Sequence, residues 1–257
     1  MEVPRKPLPT RVAETPDLPP AYGDALERGL DELGLELSAD ARAAIDGHAR
    51  LLLAWTRSIN LTGIRDPAAV ALGHVVDSLS ALPILRSQGA DRFVDLGSGG
   101  GYPGVPLAAA LPAARALLTE PIGKKADFLR TVIEATHLKG IAEAAPVRAE
   151  SLAGDARHRG QWPAVMARAV ASLAELVELA FPLLAPGGFL VAWKRGDLAA
   201  ELAAASRAVT ALGGGRLDVH PVHVSGLESH RLVVATTHGR TPEAYPRDPG
   251  TRKRRPW

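Results

Sequence analysis

Apolar positions recur along this chain with two different periods. In the first third they fall at helical spacing. Ala44, Ile45, Leu51, Leu52, Trp55 and Ile59 mark one face of a helix that Ser38 is placed to cap. Asn60-Leu61-Thr62-Gly63 interrupts that pattern. Asp66-Pro67 then opens another helix, whose apolar face carries Val70, Val75, Leu79 and Leu82, with Pro83 near its end. From about Arg92 the rhythm changes to short apolar runs alternating with helical stretches. Strands are expected at 92–96, 115–119, 141–147, 163–167 and 187–193, and helices at about 103–110, 123–138 and 172–184. The crossover between the third and fourth strands is short, and each connection suits a right-handed parallel crossover. An alanine-rich helix at about 197–212 is stopped by Gly213-Gly214-Gly215. Two last strands, at about 216–223 and 230–237, read as an antiparallel hairpin. The pattern predicts an α/β fold with a seven-stranded, Rossmann-like sheet and an N-terminal helical extension.

This reading divides the chain into four parts. Residues 1–20 are expected to be disordered, because Pro4, Pro7, Pro9, Pro16, Pro19 and Pro20 interrupt regular structure. The helical extension takes 21–88, the α/β domain 89–240, and a basic tail 241–257. From Tyr245 to Trp257, Arg247, Arg252, Lys253, Arg254 and Arg255 stand against Asp248 alone. Such a segment is either a solvated end or an arm that lies on phosphates.

Composition narrows the chemistry. The 257 residues carry a net charge of +2 and no cysteine. Disulfides, cysteine-zinc sites, iron–sulfur clusters and thiolate nucleophiles are therefore excluded. No apolar run reads as membrane-spanning, since Phe181 to Trp193 is broken by Pro186, Gly187 and Gly188. A soluble, cytoplasmic monomer is expected.

The richest stretch is Arg92 to Leu107, RFVDLGSGGGYPGVPL. A strand ends in Asp95, and a turn with Gly97, Gly99, Gly100 and Gly101 follows. This is how a doubly wound domain binds a nucleotide-like cofactor at the carboxyl end of its first strand. Glu120 ends the second strand, where a carboxylate suits ribose hydroxyls. The glycines do not choose the cofactor by themselves, because Gly99, Gly101 and Gly104 also fit a dinucleotide fingerprint. An acid beside the turn favours the cationic S-adenosylmethionine over a pyrophosphate, and so does the terminal hairpin. Without cysteine, methylation at a pyrimidine C5 is disfavoured. Without an Asn/Asp-Pro-Pro-aromatic motif after the fourth strand, so is methylation of an exocyclic amine. A ring nitrogen with a free lone pair, such as guanine N7, remains. A nicotinamide-dependent oxidoreductase and a noncatalytic RNA-binding assembly factor are the alternatives.

Several segments carry a family resemblance. Ser58-Ile59-Asn60-Leu61-Thr62, His74-Val75-Val76-Asp77-Ser78, Asp95 to Leu107, Gly123-Lys124-Lys125 with Phe128-Leu129, and Arg168-Ala169 with Ala171-Ser172-Leu173 together resemble the RsmG (GidB) family. Those are bacterial 16S rRNA guanine-N7 methyltransferases. The resemblance implies a methyltransferase fold, S-adenosylmethionine as donor, and 16S rRNA or the small ribosomal subunit as partner. It implies cofactor contacts at Gly97, Tyr102, Ala149, Glu150 and Arg168. Strand-end logic adds Asp95 and Glu120, and the turn adds Gly99 and Gly101. For RNA the candidates are Asn60, Lys124, Lys125, Lys194, Arg195, Arg252, Lys253, Arg254 and Arg255. Lys194-Arg195-Gly196 and Glu120-Pro121 depart from the family's usual residues. No acid–base catalyst is expected, since N7 carries no proton to remove. His74 and Asp77 share a helix face and read as a structural pair, Trp55 as packing, and His230 as a structural residue of an apolar strand.

Overall fold

The first strand, β1 (Arg92–Leu96), lies inside the sheet, with β2 (Arg115–Thr119) and β4 (Trp162–Arg168) on either side. β3 (Ala142–Ala145), β5 (Leu184–Arg195), β6 (Gly215–Pro221) and β7 (His230–Thr237) complete a seven-stranded sheet in the order β3-β2-β1-β4-β5-β7-β6. The first five strands run parallel, and β7 enters antiparallel between β5 and β6. This computed structural model describes residues 7–257.

Continuous apolar runs make the central strands, because both faces of a parallel sheet are covered. Alternate side chains enter two separate cores. Phe93, Leu118, Met166 and Val191 face one, whereas Val94, Leu117, Val165 and Leu190 face the other. The first core is closed by α1 (Pro20–Leu33), α2 (Ala39–Trp55), a long helical stretch, α6 (Gly104–Ala110) and α7 (Gly123–Ala135). The long stretch comprises α3 (Pro67–Val70), a π-helical segment (Ala71–Val76), α4 (Asp77–Leu79) and α5 (Leu82–Ser87). The second core is closed by α8 (Ala149–Gly154), α9 (Leu173–Ala180) and α10 (Ala199–Ala211). α11 (Pro249–Arg254) ends the chain. Side-chain oxygens cap several helices: Ser38 for α2, Asp66 for α3, Ser172 for α9 and Asp248 for α11.

Four expectations change. The first concerns the proline-rich lead. Residues 1–6 lie outside the described residues, but 7–19 follow a defined path. The Trp55 indole donates to the Pro9 carbonyl at 2.8 Å, Arg50 bonds the Thr15 carbonyl at 2.5 Å, and Leu8, Val12 and Leu18 pack on the core. The prolines hold an extended strap that side chains of α2 fasten. The second concerns apolar length. Pro67–Ser87 is a 21-residue helical stretch of mean hydropathy 1.6, long and apolar enough to cross a membrane. Its apolarity has another cause, since Val70, Val75, Leu79 and Leu82 are fully buried in the first core. The third is Pro83, which begins α5 instead of closing a helix. The fourth is the tail. Arg252 is buried, so it is neither a solvated charge nor a phosphate contact. It bonds Glu150, and it reaches Glu175 at 3.1 Å and the Arg247 carbonyl at 2.6 Å. Arg247 in turn pairs with the fully buried Glu178 at 2.6 Å, and Trp257 donates to the same carboxylate at 2.6 Å. Lys253, Arg254 and Arg255 remain exposed.

Candidate active site

The turn after β1 needs its glycines. Gly97, Gly99 and Gly101 have φ of +70°, +54° and +90°, a region that strains other residues. A Cβ on Gly101 would stand 2.7 Å from the His48 ring nitrogen. The turn is tied to the end of β2. Ser98 N–H donates to the Thr119 carbonyl at 2.9 Å, and Gly99 N–H to Glu120 Oε2 at 3.0 Å. Glu120 Oε1 accepts from Ile122 N–H at 2.8 Å. Each carboxylate oxygen keeps a second lone pair for a ligand.

Asp95 takes a different part from the one its strand-end position suggests. It is fully buried behind the turn and is not among the residues that line the cleft. Its Oδ2 accepts the Gly104 N–H at 3.0 Å, fixing the start of α6, while Oδ1 has no partner. Burial pushes its carboxyl up to about 6, against hydrogen bonds from Ser98 and Gly104 that lower it.

The cleft itself holds about 580 Å³ at the carboxyl ends of the parallel strands. Gly97, Gly99, Tyr102, Glu120, Lys125, Arg168, Lys194 and Arg195 line it, as the sequence suggested. Leu61, Thr62, Gly73, His74, Asp77, Trp193 and His230 close its other wall. The π-helical segment brings Gly73 and His74 to this wall, and such wide turns recur at functional sites.

Tyr102 is the centre of an aromatic stack. Its ring lies 4.4 Å from His48 and 4.7 Å from His74, with the Arg168 guanidinium 5.5 Å from its centre. Burial raises its phenol well above the ordinary value. His48 donates from Nε2 to the Gly100 carbonyl at 2.7 Å, and desolvation pushes its imidazole down to about 3. His74 is pushed down to about 4, first by burial and then by Arg168. It is therefore neutral, and its tautomer follows from its partners. Nδ1 accepts from Arg168 at 3.1 Å, so Nε2–H donates to Thr62 Oγ at 2.7 Å.

Asp77 organises the rest. Only 1% exposed, it accepts from Arg168 at 3.0 Å on Oδ2 and from His230 Nδ1 at 2.7 Å on Oδ1. Its carbonyl takes the Trp193 indole N–H at 2.7 Å. One residue thus joins the helical extension to β4 and β7 through its carboxylate and to β5 through its carbonyl. The predicted pairing of His74 with Asp77 runs through Arg168, which bonds both. Lys194 bonds the Ala171 carbonyl at 3.0 Å and Glu201 at 2.6 Å.

Other expected site residues lie elsewhere. Gly101 shapes the turn but does not line the cleft, and neither do Ala149 and Glu150. Glu150 faces Arg252, whose ion pair lowers its carboxyl against a larger opposing effect of burial. Asn60 and Lys124 are exposed and do not line the cleft. Sequence reasoning missed His48, Thr62 and Trp193 as parts of the site. The signal for His48 was a histidine amid the apolar face of α2, where a buried polar ring needs a partner.

Comparison with known proteins agrees with this arrangement. Residues 42–231 match the family described as rRNA small subunit methyltransferase G. A protein of Rubrobacter xylanophilus named ribosomal RNA small subunit methyltransferase G is 42% identical over 91% of this chain and 90% of its own. A protein of the same name from Deinococcus radiodurans is 39% identical over 93% and 94%. Among solved structures, an O-methyltransferase from Bacillus cereus in complex with SAH superposes with a TM-score of 0.53, at 14% identity, over 81% of this chain and 95% of that one. A methyltransferase from Geobacter sulfurreducens does so with a TM-score of 0.50, at 14% identity, over 87% and 98%. The last two show the fold. With the strand order, the glycine turn and the lined cleft in place, the sequence match decides the family: this chain belongs to the rRNA small subunit methyltransferase G family.

Proposed function

We propose that the chain transfers a methyl group from S-adenosylmethionine to N7 of a guanine in 16S rRNA. The observation that carries this reading is the cleft, where a positive-φ glycine turn meets Glu120 on one side and the Arg168–His74–Asp77 wall on the other. The residues present fit the cofactor. Glu120 has lone pairs to spare for ribose hydroxyls, and the turn leaves room for close backbone approach. Gly97, Gly99, Tyr102 and Arg168 complete the pocket, whereas Ala149 and Glu150, cofactor contacts by family position, start α8 outside the cleft lining. When bound, S-adenosylmethionine supplies an electrophilic methyl on a sulfonium.

The chain's own contribution is alignment. Guanine N7 has a free lone pair, so no side chain has to remove a proton. Two groups of the wall agree with that chemistry. His74 uses both ring nitrogens, one to accept and one to donate, and each Asp77 oxygen is taken by a donor. Lys194, Arg195 and Lys125 place positive charge at the rim for RNA phosphates. We assign Lys253, Arg254 and Arg255 to the same task and the monomer as the working unit, in the cytoplasm.

The test is methyl transfer from labelled S-adenosylmethionine to 16S rRNA or small subunits lacking the modification, followed by mapping of 7-methylguanosine. One modified guanine is expected. Tight binding of S-adenosylhomocysteine without transfer to either substrate would favour a noncatalytic assembly factor instead.

A further inference from the structure

A second cavity is left unused by this reading. It is a groove of about 330 Å³ between the N-terminal strap and α2. Arg50, Arg57 and Arg65 bring three guanidinium groups to it, against one carboxylate from Asp17. Arg50 is already engaged. It pairs with Asp17 at 3.0 Å and bonds the Thr15 carbonyl at 2.5 Å, so it braces the strap. Arg57 and Arg65 are exposed and have no ion-pair or hydrogen-bond partner among the described residues. Two guanidinium groups left unpaired on one concave surface repel each other, and an anion between them relieves that repulsion.

The position of the groove says which anion. The loop from Thr56 to Asp66 borders both cavities. Leu61 and Thr62 line the cleft, whereas Arg57 and Arg65 line the groove. Arg65 lies three positions after Thr62, so their Cα atoms are at most about 11 Å apart, and those of Leu61 and Arg57 at most about 14 Å. Phosphates along a stacked strand rise about 3.4 Å each. The groove is therefore within a few nucleotides of a base held in the cleft.

We propose that this groove binds phosphodiesters of the RNA strand flanking the target guanine, with Arg57 and Arg65 as the contacts. The proposal rests on the cleft being the site of rRNA methylation. It extends the RNA footprint onto the helical extension, on the far side of the loop from the Lys194 rim.

The experiment compares the full chain with an Arg57→Gln/Arg65→Gln variant. Equilibrium binding to unmodified 16S rRNA is measured between 50 and 250 mM KCl. Two lost phosphate contacts should reduce the slope of log affinity against log salt by about 1.4–1.8, which is roughly 25- to 60-fold at 0.1 M salt. An Arg57→Lys/Arg65→Lys variant should restore the slope. The rate at saturating RNA and the stabilisation by S-adenosylhomocysteine should stay unchanged. A slope equal to that of the unsubstituted chain overturns the proposal, and so does a parallel loss of S-adenosylhomocysteine binding. The two readings fail separately. If the unsubstituted chain does not methylate the rRNA, the functional reading falls and takes the groove with it. If it methylates while the glutamine variant keeps its slope, the groove alone falls.

Discussion

Replacing Asp77 with alanine should damage this protein more than any other single change in the cleft wall. The carboxylate is 1% exposed and serves two donors, Arg168 at 3.0 Å and His230 at 2.7 Å. Its loss leaves the Arg168 guanidinium, itself only 13% exposed, without a counter-charge. Breaking one side of a buried ion pair costs about 3–5 kcal/mol. In a chain of this size each kcal/mol moves the melting midpoint by about 2–4 °C, so a fall of about 10 °C is expected. Arg168→Ala should cost about as much, because it strands the carboxylate. The double variant should cost less than the two combined, by about 2–3 kcal/mol, since neither charge is then left alone. The assay is urea unfolding followed by tryptophan fluorescence, with Trp193 donating to the Asp77 carbonyl as a local reporter. Equal slopes across the four proteins allow the midpoints to be compared. Costs that add to within 0.5 kcal/mol or so would refute the idea that Asp77 and Arg168 act as one unit.

Further outcomes are expected elsewhere. Gly104→Ala would put a Cβ 2.3 Å from Leu118 and 2.5 Å from Asp95 Oδ2, so calorimetry should show S-adenosylhomocysteine binding weakened, with a stability loss of about 1–3 kcal/mol. Asp95 has a folded value raised to about 6, so the folded state holds its proton between pH 4 and 6 when the unfolded chain does not. Its contribution to stability is thus present below pH 4 and lost as pH rises through 6, by about 2–3 kcal/mol, and Asp95→Asn should flatten that fall in pH-dependent unfolding curves. In the tail, Arg252→Ala should cost about 2–4 kcal/mol in urea unfolding by stranding Glu150 and Glu175, whereas Lys253→Ala should stay within about 0.5 kcal/mol.

How legible was all this in the sequence? β1, β2 and β7 match their expected bounds, because each is a continuous apolar run with sharp ends. β5 starts earlier than its glycines suggest. Leu184 pairs with Trp162 before the register shifts, and Pro186 to Gly188 sit in that irregular stretch. The glycine turn, Glu120 and Arg168 were readable because local chemistry and strand ends fix them, and Tyr102 through the family resemblance alone. Asp95 was misplaced for a physical reason. A carboxylate at a strand end can serve either side of the turn, and only the turn's dihedral angles send it to Gly104. Arg252 was misread because its partners, Glu150 and Glu175, lie far away in sequence, and composition carries no record of such pairs. The wide helical turn at Ala71–Val76 leaves no local signal, since its extra residue is accommodated by packing.

The place of β7 between β5 and β6 sets an order of events during synthesis. β6 leaves the ribosome first, yet the one strand it pairs with among the described residues has not been made. Its backbone groups must wait for the following strand. That same strand delivers His230, the final donor to a carboxylate translated 153 positions earlier. A nascent chain stopped short of residue 230 therefore has a glycine turn but an open wall, and catalytic competence arrives only with the last tenth or so of the polypeptide.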